Sequence, residues 1–439
     1  MTKRIENRAA LLVSLCIIVS LTACASRAQD NSHMLTRVSI ENARALEAPV
    51  YGERDTGVGA ATNGLNDFAF RLSAALIENY SSDNFVYSPF SAWLPLAALV
   101  NATDAQNKAA LLSALGASGV TELDINKASS RMLYDLTKLQ NKSHTEYYYN
   151  PLQVANTILI GIDVTIKSDF TRTFMDYYRG SVINVDFTSP DTVDAVNQWA
   201  SDNTEGLITN LIQEFDPLTV AAIANAIYFS DRWEWEFSPA ETTADTFYSP
   251  SGNTTAYYML REGNSQTYYE DNRVQAMPLR FKNGGCMYII LPKADDAVEL
   301  LFDMTTDYFN KIQIGSISAA GKLLLPRFSI ENDIKGLKKA LEIIGVPLFD
   351  NTSAPLTNGL IEENIPLWLS DAIQKAVIHV DEEGTTAAAV TMMSAPGSMM
   401  PQPTDPFEMN CNRPFLFILC DQTYDGGNQI LFIGIVNQP

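Results

Sequence analysis

The sequence predicts an α+β domain whose sheets are mostly antiparallel. Three observations predict it. Helical spacing of apolar residues dominates the first half. Short apolar or alternating runs bounded by turn signals dominate the second half. No break in composition divides residues 63–439. The chain has 439 residues, 46% of them hydrophobic, enough to bury one large core.

The elements follow in order. Lys3, Arg4 and Arg8 precede the apolar run 11–21, which is too short for a comfortable membrane span. The run ends in Leu21-Thr22-Ala23-Cys24, which resembles a bacterial lipobox. Residues 1–23 are therefore expected to be a signal peptide cut before Cys24. Cys24 then carries lipid and holds an exported chain at a bacterial membrane or cell surface. Residues 24–62 have no sustained period and read as a flexible tether.

From Leu65 to Tyr80 the apolar positions fall at helical spacing, with Asn63 or Asn66 as the cap. Segment 85–102 reads as a short strand, then Pro89, then an apolar helix. Residues 105–210 read mostly as helices, near 105–115, 126–140, 168–178 and 190–202. The run 219–229 is apolar throughout, as in a strand buried on both faces. Strands and turns fill 245–330, and a helix over 334–344 ends at Gly345. A strand is expected over 376–384. Two closing strands, 415–420 and 430–436, are joined by a turn containing Gly426 and Gly427.

The net charge is −21. Cleavage before Cys24 removes three basic residues and one acidic residue, which leaves −23. Such a chain repels phosphate backbones, so nucleic acid is excluded as a partner. The five cysteines include Cys16 in the signal and Cys24 at the anchor. Cys286, Cys411 and Cys420 read as small buried hydrophobes, with a Cys286–Cys420 pair left open.

Enzyme chemistry is missing. The three histidines are His33 in the tether, His144, and His379 in an apolar strand. No nucleophile elbow, zinc motif or phosphate loop occurs, and nothing calls for a metal or cofactor. Asp381, Glu382 and Glu383 are adjacent in sequence, so on a strand they alternate faces and read as a solvated strand end. The chain is expected not to be an enzyme.

The informative stretch is 381–419. A strand ends in acidic residues and Gly384, and the small run Thr385 to Thr391 follows. A long loop rich in Met, Ser, Gly and Pro then leads to Pro414. Loops of this length inside compact domains are usually functional or disordered.

This stretch resembles the hinge and reactive loop of the serpins. NFVYSPFSAWLPLAALVNA (84–102), VNQWASDNTEGLITNLI (196–212), NAIYFSDRWEWEF (225–237), LLLPRF (323–328) and the terminal strands (414–439) also resemble that family, in order. The resemblance implies a single domain at 63–439, with helices on antiparallel-rich sheets and an exposed reactive loop at about 384–406. It implies a monomeric inhibitor of serine-type proteases that acts as a suicide substrate, its cut loop inserting into the central sheet. The alternative is a non-inhibitory relative that binds a ligand or is simply cleaved.

The resemblance also assigns residues. Ser88, Ser91 and Asn225 match the shutter where the sheet parts, and Trp233 matches the breach where insertion begins. Gln374 stands where the family usually has a histidine, and it can still hydrogen-bond Asn225. Glu382, Gly384, Thr385, Ala387 and Ala389 match the hinge, with Thr385 first to insert. Counting forward from Glu382 puts the reactive bond after Ser398. Cleavage after Met399 is the competitor, and counting back from Pro414 places the bond about five residues later. No basic residue lies from Thr385 to Asp405. Elastase-like or subtilisin-like proteases are therefore the expected targets, with cysteine proteases secondary.

Overall fold

The computed structural model of the chain describes residues 39–41 by their backbone, and residues 56–78, 80, 82–137, 151–294, 296–385, 406–423 and 427–439 in full. The expected signal segment, Cys24 and most of the expected tether lie outside these residues. Residues 56–62 do not. They open helix α1 (Thr56–Ile77), with Val58 and Ala61 buried. The expected tether is too long at this end, because Val58, Ala61, Leu65 and Phe68 continue one apolar stripe.

Nine further helices follow among the described residues: α2 (Pro89–Leu99), α3 (Ala105–Ala114), α4 (Glu122–Leu136), α5 (Ser168–Tyr178), α6 (Pro190–Asn203), α7 (Ala297–Phe302), α8 (Thr306–Gly315), α9 (Leu337–Ile343) and α10 (Thr357–Leu360). Their starts are chemically marked. Ser88 caps α2 with Pro89 at the first position, and Thr121 and Asp124 form a capping box on α4. Gly345 follows α9 with a φ of 94°, as expected of the residue that stops it.

One sheet has eight strands: β1 (Ser39–Glu41), β3 (Leu152–Gly161), β4 (Gly180–Val185), β5 (Ala221–Phe229), β6 (Asp231–Arg232), β12 (Phe328–Asp333), β13 (Asp371–Val380) and β14 (Gly384–Thr385). Its order is β1-β4-β3-β5-β13-β14-β6, with β12 also on β13. The second has nine: β2 (Phe85–Tyr87), β7 (Thr243–Phe247), β8 (Thr254–Glu270), β9 (Val274–Arg280), β10 (Cys286–Pro292), β11 (Ile317–Pro326), β15 (Phe407–Asn410), β16 (Phe415–Gln422) and β17 (Asn428–Val436). Its order is β15-β11-β8-β9-β10-β16-β17-β2, with β7 on β8. Most pairs are antiparallel; β3–β4, β5–β13 and β11–β15 are parallel.

Strands β3 and β4 correct the reading of 105–210 as mostly helical. Val154, Thr157, Ile158 and Ile160, then Val182, Ile183 and Val185, are β-branched and favour extended backbone. Their dense apolar runs carry no period that separates strand from buried helix.

β5 shows how the central sheet is built. All nine residues are buried, and the two faces differ. Ala222, Ala224 and Ala226 pack with Val196, Trp199 and Ala200 of α6 and with Ile208 and Leu211 beyond it. Ile223, Ile227 and Phe229 join the main core on the other face. Period-two alternation therefore places Asn225 on the core face, toward the start of α2.

Candidate functional site

The site has two parts along one seam of the eight-stranded sheet. At mid-sheet, Asn156, Asn225 and Gln374 stand side by side on β3, β5 and β13, matched residue to residue. Asn225 Nδ2 donates to Asn156 Oδ1 at 2.9 Å. Gln374 does not bond Asn225. Its Oε1 accepts from Ser88 N at 2.9 Å and its Nε2 donates to Ser88 O at 3.0 Å. An amide offers one acceptor and two donors, so it closes on both backbone groups of a single residue. Ser88 Oγ in turn accepts from Ser91 N at 3.1 Å. Gln374 thus ties β13 to the cap of α2. Ser91 Oγ and Asn225 Oδ1 are buried and have no hydrogen-bond partner among the described residues.

Along this seam β5 and β13 pair directly in parallel, from Ala222 with Asp371 to Tyr228 with Val377. The sheet is closed there. Lys375 points to the opposite face from Gln374. Its ammonium is buried, donates to Asn210 Oδ1 at 2.7 Å and pairs with Glu331 at 2.8 Å.

The other part is the end of the seam. The backbone of 381–383 is held at every carbonyl. Trp233 Nε1 donates to Asp381 O, Phe237 N to Glu382 O and Trp233 N to Glu383 O, each at 2.9 Å. Trp233 is fully buried and stacks on Phe281 with ring centres 4.5 Å apart. Asp381 Oδ1 accepts from Glu383 N and Gly384 N, which fixes the turn.

The acidic run is therefore not a solvated strand end. Glu382 is 5% exposed and bonds Arg327 through Nε at 2.8 Å and Nη2 at 2.6 Å, and Thr242 also donates to it. Burial raises its pKa, but the bonds from Arg327 and Thr242 outweigh burial and the net shift is downward. The Glu382 bond correspondingly raises Arg327.

Gly384 and Thr385 form β14, which lies between β13 and β6. Thr385 pairs with Val380 on one side and Asp231 on the other, antiparallel to both. A Cβ on Gly384 would sit 2.1 Å from Asp231 O, so only glycine fits this approach. Thr385 is fully buried, and its Oγ1 accepts from Asp231 N at 3.0 Å. It already lies in the sheet rather than waiting to insert. Asp231 beneath it is pushed up to about 6, first by burial and against the bonds from Asn283.

The chain matches the family model for Serpin (serine protease inhibitor) over residues 63–439. It is a serpin. It is 28% identical over 385 residues to alpha-1-antitrypsin 1-2 of Mus musculus, covering 86% of this chain and 89% of that protein. It is also 28% identical over 391 residues to a serpin-like protein of Methanosarcina acetivorans, covering 87% and 88%. The native-state structure of the thermophilic serpin tengpin superposes with a TM-score of 0.77 at 25% identity, covering 91% of this chain and all of that one. As a family, serpins inhibit proteases rather than catalyse reactions.

The structure brings together Ser88, Ser91, Asn225 and Gln374, and separately Trp233, Glu382, Gly384 and Thr385. Ala387, Ala389, Ser398 and Met399 lie outside the described residues. Sequence reasoning missed Asn156, Arg327 as the partner of Glu382, and Lys375 as the link to Asn210. Arg327 sits inside LLLPRF, and a buried Glu382 needs a cation, so that one signal was present.

Proposed function

We propose that this serpin traps serine-type proteases as a suicide substrate, with the chain beyond Thr385 as bait. The observation that carries the reading is β14. Two residues of the loop already run between β13 and β6, the short strand that follows β5 in the chain, in the antiparallel sense a new strand between β5 and β13 needs. The residues that would follow on one face, Ala387 and Ala389, are small enough to join a packed sheet. No proline interrupts the run before Pro396.

The protease nucleophile attacks the carbonyl of Ser398 and forms an acyl-enzyme. The freed loop then adds to the sheet between β5 and β13. About a dozen new backbone hydrogen bonds at ~1 kcal/mol net each supply on the order of 10 kcal/mol. That drives the change and keeps the acyl-enzyme trapped. Ser398 suits shallow apolar pockets, so elastase-like or subtilisin-like enzymes are the targets; cleavage after Met399 would admit deeper apolar pockets. Export and lipid attachment at Cys24 place the encounter at a bacterial surface, and the leader 1–23 supports that part.

The test is incubation with a protease panel, read as adducts that survive SDS, with N-terminal sequencing of the released fragment. A fragment beginning at Met399 is expected. Rapid trapping of trypsin, or cleavage with no adduct from any serine protease, would overturn the reading. The second outcome would favour a non-inhibitory binding protein.

A further inference from the structure

We propose that Cys286 and Cys420 form a cross-strand disulfide when the chain folds in the presence of a small disulfide oxidant. The two residues oppose each other in the antiparallel β10–β16 ladder. Such pairs project their side chains from the same face, with Cβ atoms about 4.5–5.5 Å apart. A disulfide needs roughly 3.5–4.5 Å. Cys420 Sγ already leans toward its neighbour, 3.7 Å from Cys286 O. The β16–β17 register shifts between Leu419 and Cys420, so β16 is irregular at this point and can take up the small contraction. Among the described residues Cys411 has no such neighbour: its backbone N–H bonds Leu324 on the other side of the second sheet's order.

The chemistry is two exchanges. One thiolate attacks the small disulfide, forms a mixed disulfide and releases one small thiol. The second cysteine attacks the mixed disulfide, the Cys286–Cys420 bond forms and a second small thiol leaves. Two electrons pass to the oxidant, and the two cysteine protons end on the released thiols. Burial pushes the Cys286 thiol up to about 12 and Cys420 well above its ordinary value. Thiolate is scarce in the folded protein, so exchange belongs to folding, before β10 and β16 close. Once formed, the bond is shielded on its Cys420 side, which is buried, while Cys286 is half-buried.

The position gives the bond a consequence. The β9–β10 turn carries Phe281, stacked on Trp233, and Asn283, whose Nδ2 donates to Asp231 at 2.9 Å. Asp231 pairs with Thr385. A Cys286–Cys420 bond fastens the root of that turn to β16, and so fastens the support under the hinge. The proposal stands whether or not the chain traps a protease.

The experiment refolds the full chain from denaturant, once in oxidised and reduced glutathione and once in reductant. Each product is alkylated under denaturing conditions and mapped by mass spectrometry without reduction. The oxidised sample is expected to lose two alkylatable thiols and to yield one peptide pair joining Cys286 to Cys420, with Cys411 alkylated. Cys286→Ser and Cys420→Ser should each abolish that pair. Should a serine variant not fold, the wild-type map decides alone. Free thiols at both Cys286 and Cys420, or a bond involving Cys411, overturn the proposal.

Discussion

The two parts of the seam, its mid-sheet stretch and its hinge end, satisfy their buried polar groups differently. Around Trp233 and Glu382 every carbonyl of 381–383 has a donor, and the buried carboxylate of Glu382 has its guanidinium. At mid-sheet, Asn225 Oδ1 and Ser91 Oγ are buried without partners among the described residues. Buried polar atoms of this kind each cost about 1–3 kcal/mol. The comparison teaches where the fold keeps its slack. At the hinge end the carbonyls and Glu382 are bonded, and the carboxylate atom left without a hydrogen bond among the described residues, Glu383 Oε2, still lies 3.8 Å from the Arg232 guanidinium. Beside the closed pair β5–β13 the unmet atoms are a neutral amide oxygen and a hydroxyl, which a new strand could use.

The largest effect should come from Thr385→Arg. The side chain would lie between β13 and β6, where the adjacent Asp231 carboxylate is already bonded by Asn283, at a cost of roughly 3–5 kcal/mol. We expect a lower urea midpoint together with loss of SDS-stable adduct and continued cleavage. Undiminished adduct formation would mean that β14 is not the start of insertion.

Arg327→Ala should come next, at about 2–3 kcal/mol, because it strips a buried carboxylate of its partner. The estimate is discounted because the Arg327 side chain is 44% exposed. An unchanged unfolding midpoint would show that the hinge end is not where stability resides. Gln374→Ala should cost about 1–2 kcal/mol by freeing both backbone groups of Ser88. A loss larger than that of Arg327→Ala would reverse the comparison.

The smallest effect is a slope. Asp231 has a folded pKa of about 6, above its ordinary value near 4. The fold favours its neutral form, so its contribution to stability declines as pH rises from about 4 to about 6. Glu382 works the other way. Its folded pKa is depressed, so its contribution is present above the ordinary range and lost as pH falls. Asp231→Asn should flatten melting temperature against pH between about 4 and 6. A slope equal to that of the parent would remove Asp231 from the account.

Much of this was legible in the sequence, for local reasons. The all-apolar run ending at Phe229 announces a strand buried on both faces, and Pro89 after Ser88 announces a capped helix. The small residues after Gly384 announce a segment able to join a sheet. The rest depends on register, which no local pattern carries. Nothing near Asn156 says that it will stand beside Asn225, 69 positions away. The likeness of Gln374 to a histidine donor suggested a bond to Asn225; the structure instead gives both its groups to Ser88, because an amide fits a peptide's N–H and C=O together. Strands β3 and β4 were hidden because buried strands and buried helices share the same apolar density.

The alanines of β5 have a mechanical meaning. Ala222, Ala224 and Ala226 give α6 and the chain after it a floor made of single methyl groups. Large side chains interdigitate and must be lifted out of mesh before one layer can slide over another. Methyl groups leave almost no ridges, so a covering layer on such a floor can shear sideways in small steps while staying in van der Waals contact. A sheet that widened beneath a helix, as proposed for this chain, would need a low-friction bearing, and three alanines in alternation would supply one.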